Sequence, residues 1–298
     1  MSTRQWIGGC VVALITSVLA TSAAAFDFGK LTDAVSKLDI NKALEVGQKL
    51  IASTTELPLE QEIALGDDLT ARLLGAMRPL DDPAVQSYVN RVGRWLSVQT
   101  ERPDLPWRFA IVDTESLGAF ATPGGNVVIT AGLMRLMRSE DELAGVLAHE
   151  IAHVVEKHHL KAIMGQARAA LARDAAANMA SDYVAKNPLV TNAIMGAGIK
   201  LYSSGLDQSD ELSADQVGMI IAARAGYDPL GLVLVLTTLE SIDISEPRGS
   251  LMFSTHPPTR ERIDRLAEFA DQTSLAYPGM LRDAERFSAV QEKLFAAP

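Results

Sequence analysis

The residues best suited to do chemistry are the pentapeptide His149-Glu150-Ile151-Ala152-His153. Histidines four positions apart on a helix point the same way, with Cβ atoms about 5–6 Å apart, so both imidazoles can bind one metal ion. The carboxylate of Glu150 lies beside them, where it can take a proton from water bound to that metal. The pentapeptide therefore indicates hydrolytic metal chemistry if it lies on a helix.

The flanking sequence predicts that helix. Ser139 is a candidate N-cap, and Glu142, three residues later, can reach back to the amide of the cap residue as in a capping box. Apolar residues then recur at spacings of three and four: Leu143, Val146, Leu147, Ile151 and Val154. We predict a helix from Glu140 to about His159, roughly 30 Å long. His158 and His159 would lie at its far end, facing solvent or the helix dipole rather than the metal.

A pair of acidic side chains follows later in the chain, in Glu211-Leu212-Ser213-Ala214-Asp215. On a helix both carboxylates share one face, because they are four positions apart. Catalytic zinc usually takes three protein ligands, so one of these acids could complete a site with the two histidines. The other could accept a hydrogen bond from a ligating histidine. Spacing alone favours a different interpretation, two solvated acids on an exposed face.

Composition excludes two classes of function. The chain has 298 residues, 48% hydrophobic and 21% charged, and a formal net charge of −10. A basic surface that follows phosphates is not expected, so nucleic-acid binding is set aside. The single cysteine, Cys10, lies in the first 25 residues, so a mature chain beyond them has neither disulfide nor catalytic thiol.

The first 25 residues have the pattern of a signal peptide. Arg4 supplies a positive start, residues 7–20 are mostly apolar, and Ala23-Ala24-Ala25 offers a small-residue cleavage site. We therefore expect an exported protein, located in the periplasm, although a fully secreted protein would carry the same leader. An uncleaved N-terminal anchor and a lipoprotein signal ending at Cys10 are the alternatives.

After the leader, residues 26–56 are expected to form an N-terminal helical segment and residues 57–298 one mainly helical α+β domain with a small sheet. Strands are predicted at 107–113 and 126–130, the second after the turn Pro123-Gly124-Gly125. Residues 162–206 form either a mobile cover over a cleft or a loop and a packing helix. Further helices are predicted over 59–77, 83–98, 210–225, 229–242, from 257 onward, and 280–296.

Four motifs in order resemble peptidase family M48, a family of gluzincin metallopeptidases. They are Phe120-Ala121-x-Pro123-Gly124-Gly125, His149-Glu150-x-x-His153, Glu211-x-x-x-Asp215 and His256-Pro257-x-x-x-x-Arg262-Ile263. The resemblance runs from about Glu60 to about Leu266. It implies a gluzincin-type metalloprotease domain within 57–298, with its small sheet beside the HExxH helix.

The resemblance also implies roles for the site residues. One Zn²⁺ per chain would be bound by His149, His153 and Glu211, with Glu150 as general base. Asp215 would then hydrogen-bond a ligating histidine.

Downstream, His256 would either stabilise the tetrahedral oxyanion or occupy the open coordination position. Arg262 would pair with an acidic site residue, whereas Arg260 is expected to be solvated. The strand that begins Asn126, Val127, Val128 would be the edge strand on which an extended peptide pairs.

The function implied is a zinc-dependent metalloendopeptidase acting on cell-envelope or misfolded proteins, autoinhibited by a lid or by His256. The alternative is a chaperone-like envelope protein that keeps the zinc site and binds clients without efficient cleavage. The expected partners are protein or peptide substrates; peripheral membrane contact and the oligomeric state are left open. We expect a soluble periplasmic branch of the family, without the TPR repeats found there.

Overall fold

The capped helices and short strands expected from the sequence account for most of the described chain. The computed structural model describes residues 57–75, 77–177, 188–242, 256, 259–277 and 284–296. The predicted signal peptide at 1–25 and the helical segment at 26–56 lie outside these residues. Within the described ranges, no helix combines the length and apolar character needed to cross a membrane.

The described elements are mainly helical, with one small sheet, which confirms the predicted α+β class. The helices are α1 (Leu59–Leu74), α2 (Pro83–Ser97), α3 (Ala131–Leu136), α4 (Glu140–Val155), α5 (His158–Ala177), α6 (Pro188–Ser204), α7 (Gln208–Arg224), α8 (Gly231–Glu240), α9 (Arg260–Ala276) and α10 (Ala284–Ala296). The strands are β1 (Arg108–Val112), β2 (Ala119–Thr122) and β3 (Asn126–Thr130).

Helix starts follow local capping chemistry. Asp82 caps α2, where its Oδ1 accepts the amides of Ala84 at 2.8 Å and Val85 at 3.0 Å. Ser139 caps α4 by accepting the amide of Glu142 at 3.2 Å. The reciprocal half of the predicted capping box is wrong, because Glu142 Oε2 accepts from the amide of Arg138 instead.

The helix that carries the pentapeptide ends earlier than predicted. α4 stops at Val155, and Lys157 adopts a left-handed conformation with φ 61°. Because that conformation cannot continue a right-handed helix, a new helix, α5, begins at His158. The expectation that His158 and His159 face solvent is also wrong, since each is only 5% exposed.

The sheet has strand order β1-β3-β2, with β1 parallel and β2 antiparallel to β3. β3 is therefore the central strand, and the prediction that Asn126, Val127 and Val128 form a substrate-binding edge is wrong. The reason is β2, a four-residue strand that the sequence analysis did not find. Its sequence, Ala119–Thr122, has neither the length nor the β-branched content that predicts a strand.

Each face of the sheet packs on a different hydrophobic core. Val127 and Ile129 of β3 face the main core, which contains the buried side of α4, whereas Val128 faces a second core. This second core includes Leu69 of α1 and Ile163 of α5. Burial on both faces explains why all five residues of β3 are buried.

Part of the predicted cover, 162–206, falls on α5 and α6, which pack on one another. Leu201 and Tyr202 of α6 belong to the second core. Residues 178–187 lie outside the described chain. The described part of this stretch therefore consists of packed helices, and α6 contributes side chains to the second core.

The helix predicted over 210–225 begins two residues earlier than expected: α7 starts at Gln208, after the N-cap residue Asp207. Its end agrees with the predicted one to within a residue: α7 ends at Arg224, Ala225 is the C-cap, and Gly226 follows in a left-handed conformation with φ 91°.

Candidate metal centre

The first turns of α7 bring a carboxylate to the two histidines of α4. His149 Nε2 and His153 Nε2 lie 3.1 Å apart. Glu211 places Oε2 3.6 Å from His149 Nε2 and Oε1 3.5 Å from His153 Nε2. All three side chains are buried. The solvated-face interpretation of Glu211 is therefore excluded.

These separations fit a small tetrahedral cation. Zinc bound to nitrogen and oxygen at about 2.0–2.2 Å keeps its ligand atoms roughly 3.3–3.6 Å apart. Donor atoms of His149, His153, Glu211 and His256 all lie within 4.8 Å of one another. The donor set of imidazoles and a carboxylate is one that zinc accepts.

Asp215 and Arg262 hold His149. Asp215 Oδ1 lies 3.0 Å from His149 Nδ1, on the side of the ring away from Glu211. Arg262 of α9 binds both oxygens of Asp215, with Nε to Oδ2 at 2.8 Å and Nη2 to Oδ1 at 2.7 Å. Its Nη1 lies 3.2 Å from Glu211 Oε2. One buried guanidinium thus positions both Glu211 and Asp215.

A different partner holds His153. Its Nδ1 lies 3.0 Å from Nδ1 of His158. His158 in turn places Nε2 3.1 Å from Glu156 Oε2. Glu156 also accepts a 2.6 Å hydrogen bond from Ser213 Oγ of α7. This chain of contacts does not follow from the helical periodicity of the sequence, because the left-handed turn at Lys157 brings His158 back toward the site.

His256 lies against both functional carboxylates. Its Nδ1 is 2.8 Å from Glu211 Oε1, and its Nε2 is 3.7 Å from Glu150 Oε1. His256 is 1% exposed and Glu150 fully buried. The structure therefore brings together all the residues expected at the site: His149, Glu150, His153, Glu211, Asp215, His256 and Arg262.

The charge of this cluster calls for a cation. With its carboxylates ionised, the site holds three acids, Glu150, Glu211 and Asp215, against the single guanidinium of Arg262. Neutral imidazoles then leave a buried charge of −2, which a divalent ion would neutralise. Within the described residues, both oxygens of Glu150 are buried and accept no hydrogen bond. Such unpaired buried oxygens are expected where a metal and its water belong.

The two histidines of α4 titrate in opposite directions. Burial opposes protonation of His149, but Asp215 and Glu211 outweigh it and raise its pKa to about 9. Burial, together with the charge of His149, holds the pKa of His153 well below its usual range. Metal binding at His149 therefore displaces a proton.

Glu211 and Asp215 of α7 are held in the ionised form. Burial would raise the pKa of Glu211, but His256, His149 and His153 outweigh it and hold that pKa well below its ordinary value. The pKa of Asp215 is lowered as well, because its bonds to Arg262 and His149 outweigh burial. Both carboxylates are thus available as a ligand and a hydrogen-bond acceptor.

Comparison with known proteins agrees with this geometry. The family model of peptidase family M48 matches residues 83–270. That range contains both helices of the site, the sheet, His256 and Arg262. The chain therefore belongs to peptidase family M48.

Several curated proteins are similar over most of this chain. The beta-barrel assembly-enhancing protease of Escherichia coli (strain K12) is 27% identical over 274 residues, 91% of this chain and 55% of that protein. The protease HtpX homolog of Salinibacter ruber is 31% identical over 234 residues, 68% of this chain and 80% of that protein. The mitochondrial metalloendopeptidase OMA1 of Schizosaccharomyces pombe is 26% identical over 189 residues, 63% of this chain and 54% of that protein. The chain spans about half the length of the assembly-enhancing proteases that it matches.

Proposed function

We propose that this protein is a zinc-dependent metalloendopeptidase that uses one Zn²⁺ per chain. The observation that carries the proposal is the buried cluster of His149, His153 and Glu211, with the carboxylate of Glu150 beside it, which accepts no hydrogen bond from the described part of the chain. Structural zinc sites usually have four ligands rich in cysteine, whereas this cluster offers imidazole and carboxylate. Three protein ligands leave one position for water and substrate.

The residues around the metal supply the rest of the chemistry. His149, His153 and Glu211 would hold the zinc ion, which would lower the pKa of a bound water toward about 7 and polarise the carbonyl that is attacked. Glu150 takes the proton from the attacking water and passes it to the leaving amine. Arg262 and Asp215 keep His149 and Glu211 in place throughout.

His256 is proposed to act through Nε2, because its Nδ1 is engaged by Glu211. From that position it would stabilise the oxyanion or take the open coordination position at rest. Both roles follow from its place against Glu150 and Glu211, and both make His256 part of the working site.

The edge of β2 that faces away from β3 is the proposed binding site for the substrate main chain, in place of β3. In an antiparallel pair of strands, every second residue directs its main-chain N–H and C=O groups at the partner strand. The amide of Thr130 donates to the carbonyl of Gly118, so the main-chain groups of Phe120 and Thr122 also point at β3. The main-chain groups of Ala119 and Ala121 consequently point away from the sheet. α4 packs on this strand, so a peptide added there would pass beside the metal ligands.

In this structure α6 occupies part of that edge. The hydroxyl of Tyr202 donates a 2.5 Å hydrogen bond to the carbonyl of Ala121. Its ring stacks on His159, with ring centres 4.8 Å apart. A substrate amide would need the same carbonyl, so we propose that α6 is an autoinhibitory cover that moves before substrate binds.

The proposed substrates are unfolded or misassembled proteins of the cell envelope. The names of the similar beta-barrel assembly-enhancing proteases support this choice, together with the predicted signal peptide, which supports export to the periplasm. An extended peptide paired on β2 would be read mainly through its main chain, which suits unfolded substrates of varied sequence.

The proposal is tested with Glu150→Gln in the full chain. The wild type is expected to degrade an unfolded protein such as casein, to stop when zinc is chelated, and to recover on zinc addition. Glu150→Gln is expected to bind zinc normally and to cut nothing. Cleavage by Glu150→Gln, with contaminating proteases excluded, would overturn the assignment of the general base.

The cover by α6 also favours a second candidate, the chaperone-like protein. That protein would hold casein whether or not zinc is chelated, and no fragments would appear. The same digest therefore separates the two functions.

A further inference from the structure

One buried imidazole beside the metal cluster has no part in the proposed hydrolysis. His158, the first residue of α5, is 5% exposed and contacts the metal-binding ring of His153. Their ring centres lie 5.1 Å apart. The facing atoms are Nδ1 of both rings, 3.0 Å apart, whereas Nε2 of His153 faces His149 and Glu211.

A metal bound to His153 would decide which ring nitrogens in this contact carry a proton. If Nε2 of His153 binds a metal, its Nδ1 must carry the proton of the neutral ring and must donate it. The atom that faces it is Nδ1 of His158, which can accept only if His158 carries its own proton on Nε2. Nε2 of His158 lies 3.1 Å from Oε2 of Glu156, which is close enough to receive that proton. The order of donors is therefore His153 to His158 to Glu156.

The chain of contacts closes on the helix that carries the third ligand. Ser213, two residues after Glu211 on α7, donates its hydroxyl to the same Glu156 oxygen at 2.6 Å. Asp210 of α7 also approaches, with Oδ1 3.7 Å from His158 Nε2. Through Glu156, His158 thus connects His153 of α4 to α7, the helix that carries Glu211.

We propose that His158 is a positioning residue: as a neutral imidazole that accepts from Nδ1 of His153, it fixes the tautomer and ring orientation with which His153 binds zinc. The inference rests on the proposed zinc site. The two ligating histidines then have different supports, since His149 faces the carboxylate of Asp215 and His153 faces a neutral ring. A neutral acceptor orients the ligand without adding a further negative charge to a cluster that already holds three carboxylates.

The first test is zinc affinity, measured for the full chain by competition with a chromophoric chelator. His158→Phe keeps the ring but removes the acceptor, and it is expected to weaken zinc binding about 10–100-fold, the usual effect of losing such a support. The matched control is His159→Phe. His159 is equally buried and stacks on Tyr202, but its Nδ1 has no hydrogen-bond partner among the described residues, so this variant should bind zinc as the wild type does.

The second test is rescue. His158→Asn places an amide oxygen near the position of Nδ1, where it can accept from His153, so it is expected to recover most of the lost zinc affinity. The zinc-loaded wild type should also show a slowly exchanging imidazole proton from Nδ1 of His153 in a histidine-labelled NMR spectrum. That signal should be absent in His158→Phe and present in His158→Asn.

The outcomes are distinct. Wild-type zinc affinity in His158→Phe, or an equal loss in the Phe and Asn variants, would overturn the role of His158. If the wild-type protein binds no zinc, the proposed metalloendopeptidase function is contradicted as a whole, and the role of His158 is contradicted with it. Should His158→Phe not fold, the Asn variant and the NMR signal of the wild type still decide the question.

Discussion

Gly218 of α7 lies directly against the main chain of His149 on α4. A Cβ placed at position 218 would be 2.8 Å from His149 N and 2.9 Å from its Cα, closer than side-chain and backbone atoms pack. The two helices therefore meet backbone to backbone at the first metal ligand. This contact allows Glu211 and Asp215, on the preceding turns of α7, to reach the imidazole of His149.

Gly218→Ala is expected to separate the two helices at this contact. The added methyl group meets backbone atoms that cannot rotate away, so the variant should lose roughly 1–3 kcal/mol of unfolding free energy, and zinc affinity should fall with it. Urea denaturation and chelator competition measure the two effects. Gly165→Ala is the matched control, because a Cβ there meets nothing within 4 Å on an exposed part of α5. Equal unfolding free energies and zinc affinities in the two variants would contradict the close contact between Gly218 and the backbone of His149.

Arg262→Leu is expected to be strongly destabilising. The change leaves Asp215 and Glu211 buried without their guanidinium, and breaking one side of such a pair costs about 3–5 kcal/mol. Arg260→Leu, two residues away, is the control, since its ion pairs are exposed and are worth about 0–1 kcal/mol. Denaturant unfolding of both variants tests the contrast, and a mild effect at position 262 would contradict the role given to the buried pair.

Tyr202→Phe is expected to raise peptidase activity. The variant keeps the ring that stacks on His159 but loses the hydrogen bond to Ala121, which is worth about 1 kcal/mol and would shift the balance toward an open β2 edge about fivefold. Initial rates on a fluorogenic peptide measure the change. Ser203→Ala, the neighbouring exposed hydroxyl on α6, should leave the rate unchanged. A rate that falls in Tyr202→Phe would show that the hydroxyl assists the reaction rather than covering the strand.

The cap of α2 predicts a pH-dependent contribution to stability. Asp82 accepts hydrogen bonds from the backbone amides of Val85 and Ala84. These bonds, that from Val85 most of all, hold the pKa of the Asp82 carboxyl below its ordinary value of 3.8. A lowered folded-state pKa means that the stabilisation is present above the unfolded value and is lost as pH falls through the folded one.

Asp82→Ala should therefore cost about 1 kcal/mol at pH 7, and the difference should shrink in acid. Asp82→Asn keeps the acceptor without the charge, so its unfolding free energy should lack this acid-dependent component. Denaturant unfolding from pH 7 downward tests both variants. A difference between Asp82→Ala and wild type that is unaffected by acid would contradict the cap.

Much of the site follows from local patterns in the sequence. The HExxH spacing, the Ser139 cap and the pair Glu211 and Asp215 each depend on one helix and its periodicity. Peptide groups and side chains within four residues of one another decide such features, so the sequence predicts them. The order of the family motifs then indicated that the two helices meet.

The rest depends on tertiary contacts that no local pattern reports. A single left-handed residue, Lys157, turns His158 back toward the metal cluster, and nothing in its side chain predicts that conformation. The strand Ala119–Thr122 forms because β3 and α4 cover it, not because of strand propensity, and missing it made β3 look like an edge. Gly218 resembles any helical glycine until the partner helix is in place.

The central claim is that α4 and α7 together bind one zinc ion through His149, His153 and Glu211. It is tested most directly by the zinc content of the full chain after reconstitution and dialysis, for the wild type, Glu211→Ala and the exposed-residue control Glu268→Ala. The account predicts one zinc per chain in the wild type and the control, and loss of tightly bound zinc in Glu211→Ala. A wild-type protein that retains no zinc, or a Glu211→Ala variant that retains it as tightly, would contradict the account.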